Sequence, residues 1–73
     1  MPGLELRTAL KVHRAMGDLT QAELAAMAGL TRKSINAIET GKMVPSVVLA
    51  LKLAKVLQVR VETLFALVEP QEG

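Results

Sequence analysis

Lys33, Asn36, Ala37 and Thr40 fall together on one side of any helix drawn through them at about 100° per residue, with Arg32 and Ser34 at the flanks. Two cations and a carboxamide on a surface free of bulky apolar groups suit one task above others, donating hydrogen bonds to paired acceptors on a flat edge. Arg32 and Lys33 match the two acceptors of guanine, Asn36 has the amide geometry for adenine, and Ala37 leaves room for a thymine methyl or touches it. Thr40 and Lys42 stand further along as candidates for phosphate contact, and Thr31 and Ser34 stand near the start, each able to cap the helix or meet a phosphate. Gln21 sits in the first turn of the preceding helix, where unpaired N–H groups and the helix dipole favour an anion. The same groups would also make an ordinary solvated helix face, so their positioning decides the matter.

The positioning elements are legible around them. Thr20, followed three residues later by Glu23, is a capping box, in which two orphan backbone donors are satisfied reciprocally. Leu24, Ala25 and Ala28 recur at helical spacing, and Gly29 provides the left-handed residue that ends a helix. Thr31 caps a second helix from Arg32 to about Thr40, which Gly41 stops. A connection no longer than Gly29 to Thr31 forces the two helices to meet at a steep angle, which is a helix-turn-helix over about 20–41. The second helix of such a unit enters the major groove of double-stranded DNA in many binders. Its inner side carries Ile35, Ile38 and Glu39.

Beyond this unit, a first helix is expected over Leu4 to Met16, with Leu6, Leu10 and Met16 facing inward and Gly17-Asp18 ending it. Pro45-Ser46 caps a fourth helix over Val47 to Leu57, whose inner stripe is Leu49, Leu53 and Leu57 with Ala50 and Ala54. A fifth helix spans Val61 to Ala66, Leu67 to Glu69 is a possible extended segment, and Pro70 to Gly73 is a frayed end. The expected fold class is therefore all-α, five helices in a single domain over residues 1–73. Met16 and Met27 read as core or near-core filler and Met43 as a loop residue.

Composition excludes several classes of chemistry. Seventy-three residues without a cysteine leave no disulfide, thiol nucleophile or thiolate zinc site. The single histidine, His13, lacks the partners for a metal site or a triad and reads as packed or half-buried. No phosphate-binding glycine loop is present, and the carboxylates are scattered over helical faces. No catalytic site, metal, cofactor or small-molecule ligand is therefore expected. No apolar run approaches the ~18–20 residues that span a bilayer, and no cleavable hydrophobic leader is seen, so a cytoplasmic protein is expected. Net charge is only +2, but Thr31 to Lys42 holds three cations against one acid. A local excess of that kind is what phosphate contact requires.

The order of residues resembles a family, the phage repressor and Cro type of helix-turn-helix regulator, often called XRE. The matching residues are Thr20-Gln21-x-x-Leu24-Ala25, Gly29, Ser34-x-x-Ala37-Ile38-Glu39-x-Gly41-Lys42 and Pro45-Ser46. The match continues through Leu49-Ala50-x-Lys52-x-Ala54 and Val59-x-Val61-Glu62-x-Leu64-Phe65, so it covers roughly residues 6–66. The resemblance implies a five-helix, repressor-like DNA-binding domain acting as a homodimeric transcriptional regulator of bacterial or phage type. It places base reading on Arg32, Lys33 and Ala37, with Asn36 between them. It also implies that Gln21 braces the reading helix while binding the DNA backbone. Arg14 and Glu39 match the family's structural ion pair between the first and third helices. At His13 the chain departs from the pattern, which usually holds an aliphatic residue there.

The C-terminal half, about 46–69, carries apolar residues outside any inner stripe. Val48, Leu51, Val61, Leu67 and Val68 are the expected dimer contacts, and a dimer would present two reading helices one DNA turn apart. The alternative is a protein-interaction module, such as an antitoxin or co-regulator, that uses the same apolar half. One aromatic residue, Phe65, gives little for single-strand stacking and few anchors for a tight protein interface.

Overall fold

A computed structural model describes residues 3–70. Along the chain come strand β1 (Glu5–Thr8), helices α1 (Leu10–Met16), α2 (Gln21–Ala28), α3 (Arg32–Glu39), α4 (Val47–Leu57) and α5 (Val61–Leu64), and strand β2 (Phe65–Val68). Of the expected frayed end, positions 71–73 lie outside the described residues.

All five helices contribute to one core. Leu10 comes from α1, Leu24, Ala25 and Ala28 from α2, Ile35 and Ile38 from α3, Leu53 and Ala54 from α4, and Leu64 from α5. Leu19, Leu30, Met43, Val56, Leu57, Val59, Val61 and Phe65 pack around it, half-buried. Ser46 caps α4 by accepting the Leu49 N–H at 3.1 Å. The helix ends at Gln58, which takes the left-handed conformation (φ 57°) that glycine usually supplies.

The chain is not purely helical, which corrects the all-α expectation. Glu5 to Thr8 is not part of α1. It forms β1, paired antiparallel with β2 in the register Glu5↔Val68, Leu6↔Leu67, Arg7↔Ala66 and Thr8↔Phe65. Leu6 and Leu10 lie four residues apart and mimic a helical stripe. Leu4, Leu6 and Thr8 equally alternate with Glu5 and Arg7 at the strand period of two. The partner strand from the far end of the chain decides between these readings. Correspondingly, α5 stops at Leu64 rather than Ala66, because Phe65 already has extended dihedrals (φ −134°, ψ 133°).

Two inner-face expectations also change. Leu6 is 40% exposed and Met16 73% exposed. With α1 starting at Leu10, Met16 lies about 240° round the helix from that buried anchor and points to water. Met27 is exposed as well, roughly 100° from the face shared by Leu24, Ala25 and Ala28. No helix among the described residues is long and apolar enough to cross a membrane.

Candidate nucleic-acid interface

The interface is built from caps outward. Thr20 Oγ1 accepts the Glu23 N–H at 3.0 Å while Glu23 Oε1 accepts the Thr20 N–H at 2.8 Å, so both halves of the capping box are made. The Thr20 backbone N–H bonded to it, with the Thr20 hydroxyl beside it, holds the Glu23 carboxyl below its usual range by favouring the charged form. Gly29 turns the chain with φ +71°, and the Leu30 N–H donates to the Ala25 carbonyl at 2.8 Å. Thr31 then starts α3, its Oγ1 accepting the Ser34 N–H at 3.1 Å and donating to Ser34 Oγ at 3.1 Å. Thr31 is thus a cap. The hydroxyl proton of half-buried Ser34 has no acceptor among the described residues.

This start turns α3 so that Arg32, Lys33, Asn36 and Thr40 form an exposed row, with half-buried Ala37 beside it. Among the described residues, neither Arg32 nor Lys33 enters a side-chain hydrogen bond or an ion pair. The Thr40 hydroxyl donates to its own helix, to the Asn36 carbonyl at 2.9 Å and the Ala37 carbonyl at 3.3 Å. Its proton is therefore committed internally. Lys42 stands exposed just past the helix, where its N–H donates to the Ala37 carbonyl at 2.9 Å.

A polar network holds the inner side of α3. Arg14 Nε donates to Glu39 Oε2 at 2.6 Å and its Nη2 donates to Glu39 Oε1 at 3.2 Å, a two-point ion pair from α1 to α3. Arg14 Nη1 also donates to the Leu19 carbonyl at 2.8 Å, fixing the α1–α2 loop. Gln21 Nε2 donates to Glu39 Oε1 at 2.9 Å and to Asn36 Oδ1 at 3.2 Å. Side-chain exposure is 14% at Arg14 and 2% at Glu39, so the pair is shielded from water. Burial opposes charging Glu39, but hydrogen bonds from Arg14 and Gln21 and the nearby Arg14 and Lys11 charges prevail, holding its carboxyl below the usual range. The hydrogen bond to Glu39 raises Arg14 in turn.

One arrangement here was not legible in the residue pattern. The Gln21 amide bonds the Asn36 carboxamide at Oδ1, leaving both Nδ2 protons and one Oδ1 lone pair without a partner among the described residues. That is the donor and acceptor pair an adenine edge needs. Fifteen positions separate the two residues, and only the crossing of α2 over α3 brings them together. Of the expected dimer contacts, Val48, Leu51 and Leu67 are exposed, while Val61 and Val68 are half-buried and Val61 packs on the chain's own core.

A helix-turn-helix family profile matches residues 10–64. An uncharacterised HTH-type transcriptional regulator of Methanocaldococcus jannaschii is 45% identical over 60 residues, covering 82% of this chain and 91% of that protein. The HTH-type regulator YgzD of Bacillus subtilis is 38% identical over 64 residues, covering 88% and 97%. Among solved structures, the restriction-modification controller protein C.AhdI of Aeromonas hydrophila superposes with a TM-score of 0.70 at 34% identity. That match covers 73% of this chain and 80% of C.AhdI. A chain of the SinR protein/SinI protein complex also gives 0.70 at 31% identity, covering 74% of this chain and 53% of that one. Such relatives are regulators, not enzymes. With the profile spanning most of the chain and relatives this similar along nearly their whole length, the protein belongs to the XRE-type helix-turn-helix family of DNA-binding transcriptional regulators.

Proposed function

We propose that this chain binds a near-palindromic operator in double-stranded DNA as a homodimer, each copy placing α3 in the major groove. The observation that carries the reading is the exposed row Arg32, Lys33, Asn36 and Thr40 on a helix braced from behind by Arg14, Glu39 and Gln21. A braced helix gives its side chains a fixed frame, which base reading needs. Arg32 and Lys33 approach guanine acceptors or flanking phosphates, Asn36 meets adenine, and Ala37 lies against a thymine methyl. Ser34 and Lys42 touch phosphates. Gln21 is chiefly a brace, because both Nε2 protons already have partners. Its phosphate role passes to backbone N–H groups at the start of α2. Thr31 and Thr40, with their hydroxyls engaged, line the backbone contact without donating to it. Exposed Val48, Leu51 and Leu67, beside Val61 and Val68, are among the apolar residues available to a second copy.

Binding selection on a randomised duplex library at near-physiological salt tests this. A near-palindrome with half-site centres about 10 bp apart is the expected product. On that site, Arg32→Ala should cost about 1–3 kcal/mol and relax the preference at one base pair if it reads a base. Lys33→Ala should do the same, or lower affinity uniformly and reduce the salt slope by about one if it holds a phosphate. Salt-sensitive binding with no preferred sequence would sink the proposal. It would bring forward a partner-binding role for the apolar half, for which exposed Val47, Val48 and Leu51 on α4 provide the surface.

A further inference from the structure

The sheet holds only two strands, so the outer edge of β1 has no partner among the described residues. An open edge bearing apolar side chains is a template for another strand. Which backbone groups it offers follows from the ladder. The Ala9 N–H donates to the Leu64 carbonyl at 2.7 Å, one rung beyond Thr8↔Phe65. Antiparallel rungs alternate between bonded and unbonded pairs. Arg7↔Ala66 and Glu5↔Val68 are then bonded rungs, and the Leu6 N–H and C=O point away from β2 to the free edge.

Side chains around Leu6 have the symmetry that a second copy requires. Glu5 precedes Leu6 and Arg7 follows it, both exposed and both on the same face. In an antiparallel pair centred on Leu6, Leu6 faces the partner's Leu6 and exchanges two backbone bonds with it. Glu5 then faces the partner's Arg7, and Arg7 faces the partner's Glu5. A two-fold axis through that rung makes the contact self-complementary, as a closed dimer demands. Opposite charges directly across a ladder stabilise it, and like charges destabilise it. On the other face, Leu67, Leu6 and their two copies make a continuous stripe, which covers leucines now 64% and 40% exposed. The free edge of β2 has no such code, since Ala66 and Val68 flank Leu67 there.

We infer that two copies join through β1, forming a four-stranded sheet in the order β2-β1-β1-β2 whose register is set by Glu5 and Arg7. This deepens the homodimer part of the proposed function and rests on it. The test is molecular mass in solution without DNA, by light scattering or sedimentation, on the parent chain, Glu5→Arg, Arg7→Glu and an equimolar mixture of the two variants. Each variant alone sets like charges across both flanking rungs and should weaken the dimer about tenfold. Mixing restores opposite charges on both rungs, so dimers should reappear, and native mass spectrometry should show them as heterodimers. A folding defect would not be cured by mixing. A monomeric parent, variants that dimerise like the parent, or a mixture no larger than its components would each overturn the inference. If Leu51→Glu abolished a dimer that Glu5→Arg left intact, the interface would lie on α4. The DNA-reading homodimer would then stand while β1 pairing fell.

Discussion

Glu39 shows how a single carboxylate sets the presentation of α3. It lies on the apolar side of α3, and its charge is compatible with that place only because Arg14 and Gln21 bond it. Glu39→Ala leaves the shielded Arg14 charge unpaired and should cost about 3 kcal/mol, the lower end for a buried pair, because Arg14 keeps some contact with water. DNA affinity should fall with it as α3 loosens. Unchanged thermal stability alongside lost binding would assign Glu39 to the DNA contact instead. The acid limb follows from the same bonds. Glu39 holds its proton more weakly in the folded state than at its reference value of 4.5, so the unfolded chain takes up more protons in acid. Stability is therefore full above that value and is lost as pH falls through it towards the lowered folded value. Glu23 and Glu62, lowered as well, add to the loss. Melting curves across the acid range should show a shallower fall for Glu39→Gln than for the parent. Equal slopes would contradict the bonding described.

Element boundaries follow chemistry confined to a few residues, and there the sequence is most readable. The capping box at Thr20, the glycine at 29 and the serine cap at 46 delimit α2, the turn and α4 from within a single turn of chain each. The end of α4 is a testable case. Gln58 takes φ 57° with a side chain attached, a conformation that costs about 1–2 kcal/mol without glycine. Gln58→Gly should raise stability by about 0.5–1 kcal/mol, part of the relief being offset by greater freedom of the unfolded chain. Gly29→Ala should lower it by about 1 kcal/mol through the backbone alone, as nothing lies within 4 Å of the added Cβ. Thermal melts that moved both variants the same way would refute the assignment. β1 is the element that local reading misses. The pattern from Leu4 to Thr8 fits both periods, and the interaction that selects the strand comes from residues some sixty positions later in the chain.

At the scale of the whole molecule, stability rests on one small core to which every helix sends at least one buried residue. A domain of this length has only a modest reserve. Leu53, fully buried on α4, should cost about 2–5 kcal/mol on truncation to alanine. Exposed Met16, by contrast, should tolerate alanine within about 0.5 kcal/mol. Urea unfolding distinguishes the two directly, and equal midpoints would mean the burial assigned to either residue is wrong.

The sequence by itself determined the helix-turn-helix, the polar and cationic outer face of α3, the extent of α4 and the side of α3 on which Glu39 lies. Each of these depends on hydrogen bonds and side-chain spacing within a turn or two of chain. Tertiary structure alone decided that Glu5 to Thr8 is a strand, that Met16 and Met27 face water, and that Gln21 bonds Asn36. Those outcomes depend on where a distant segment packs, and local periodicity carries no record of the partner that will arrive.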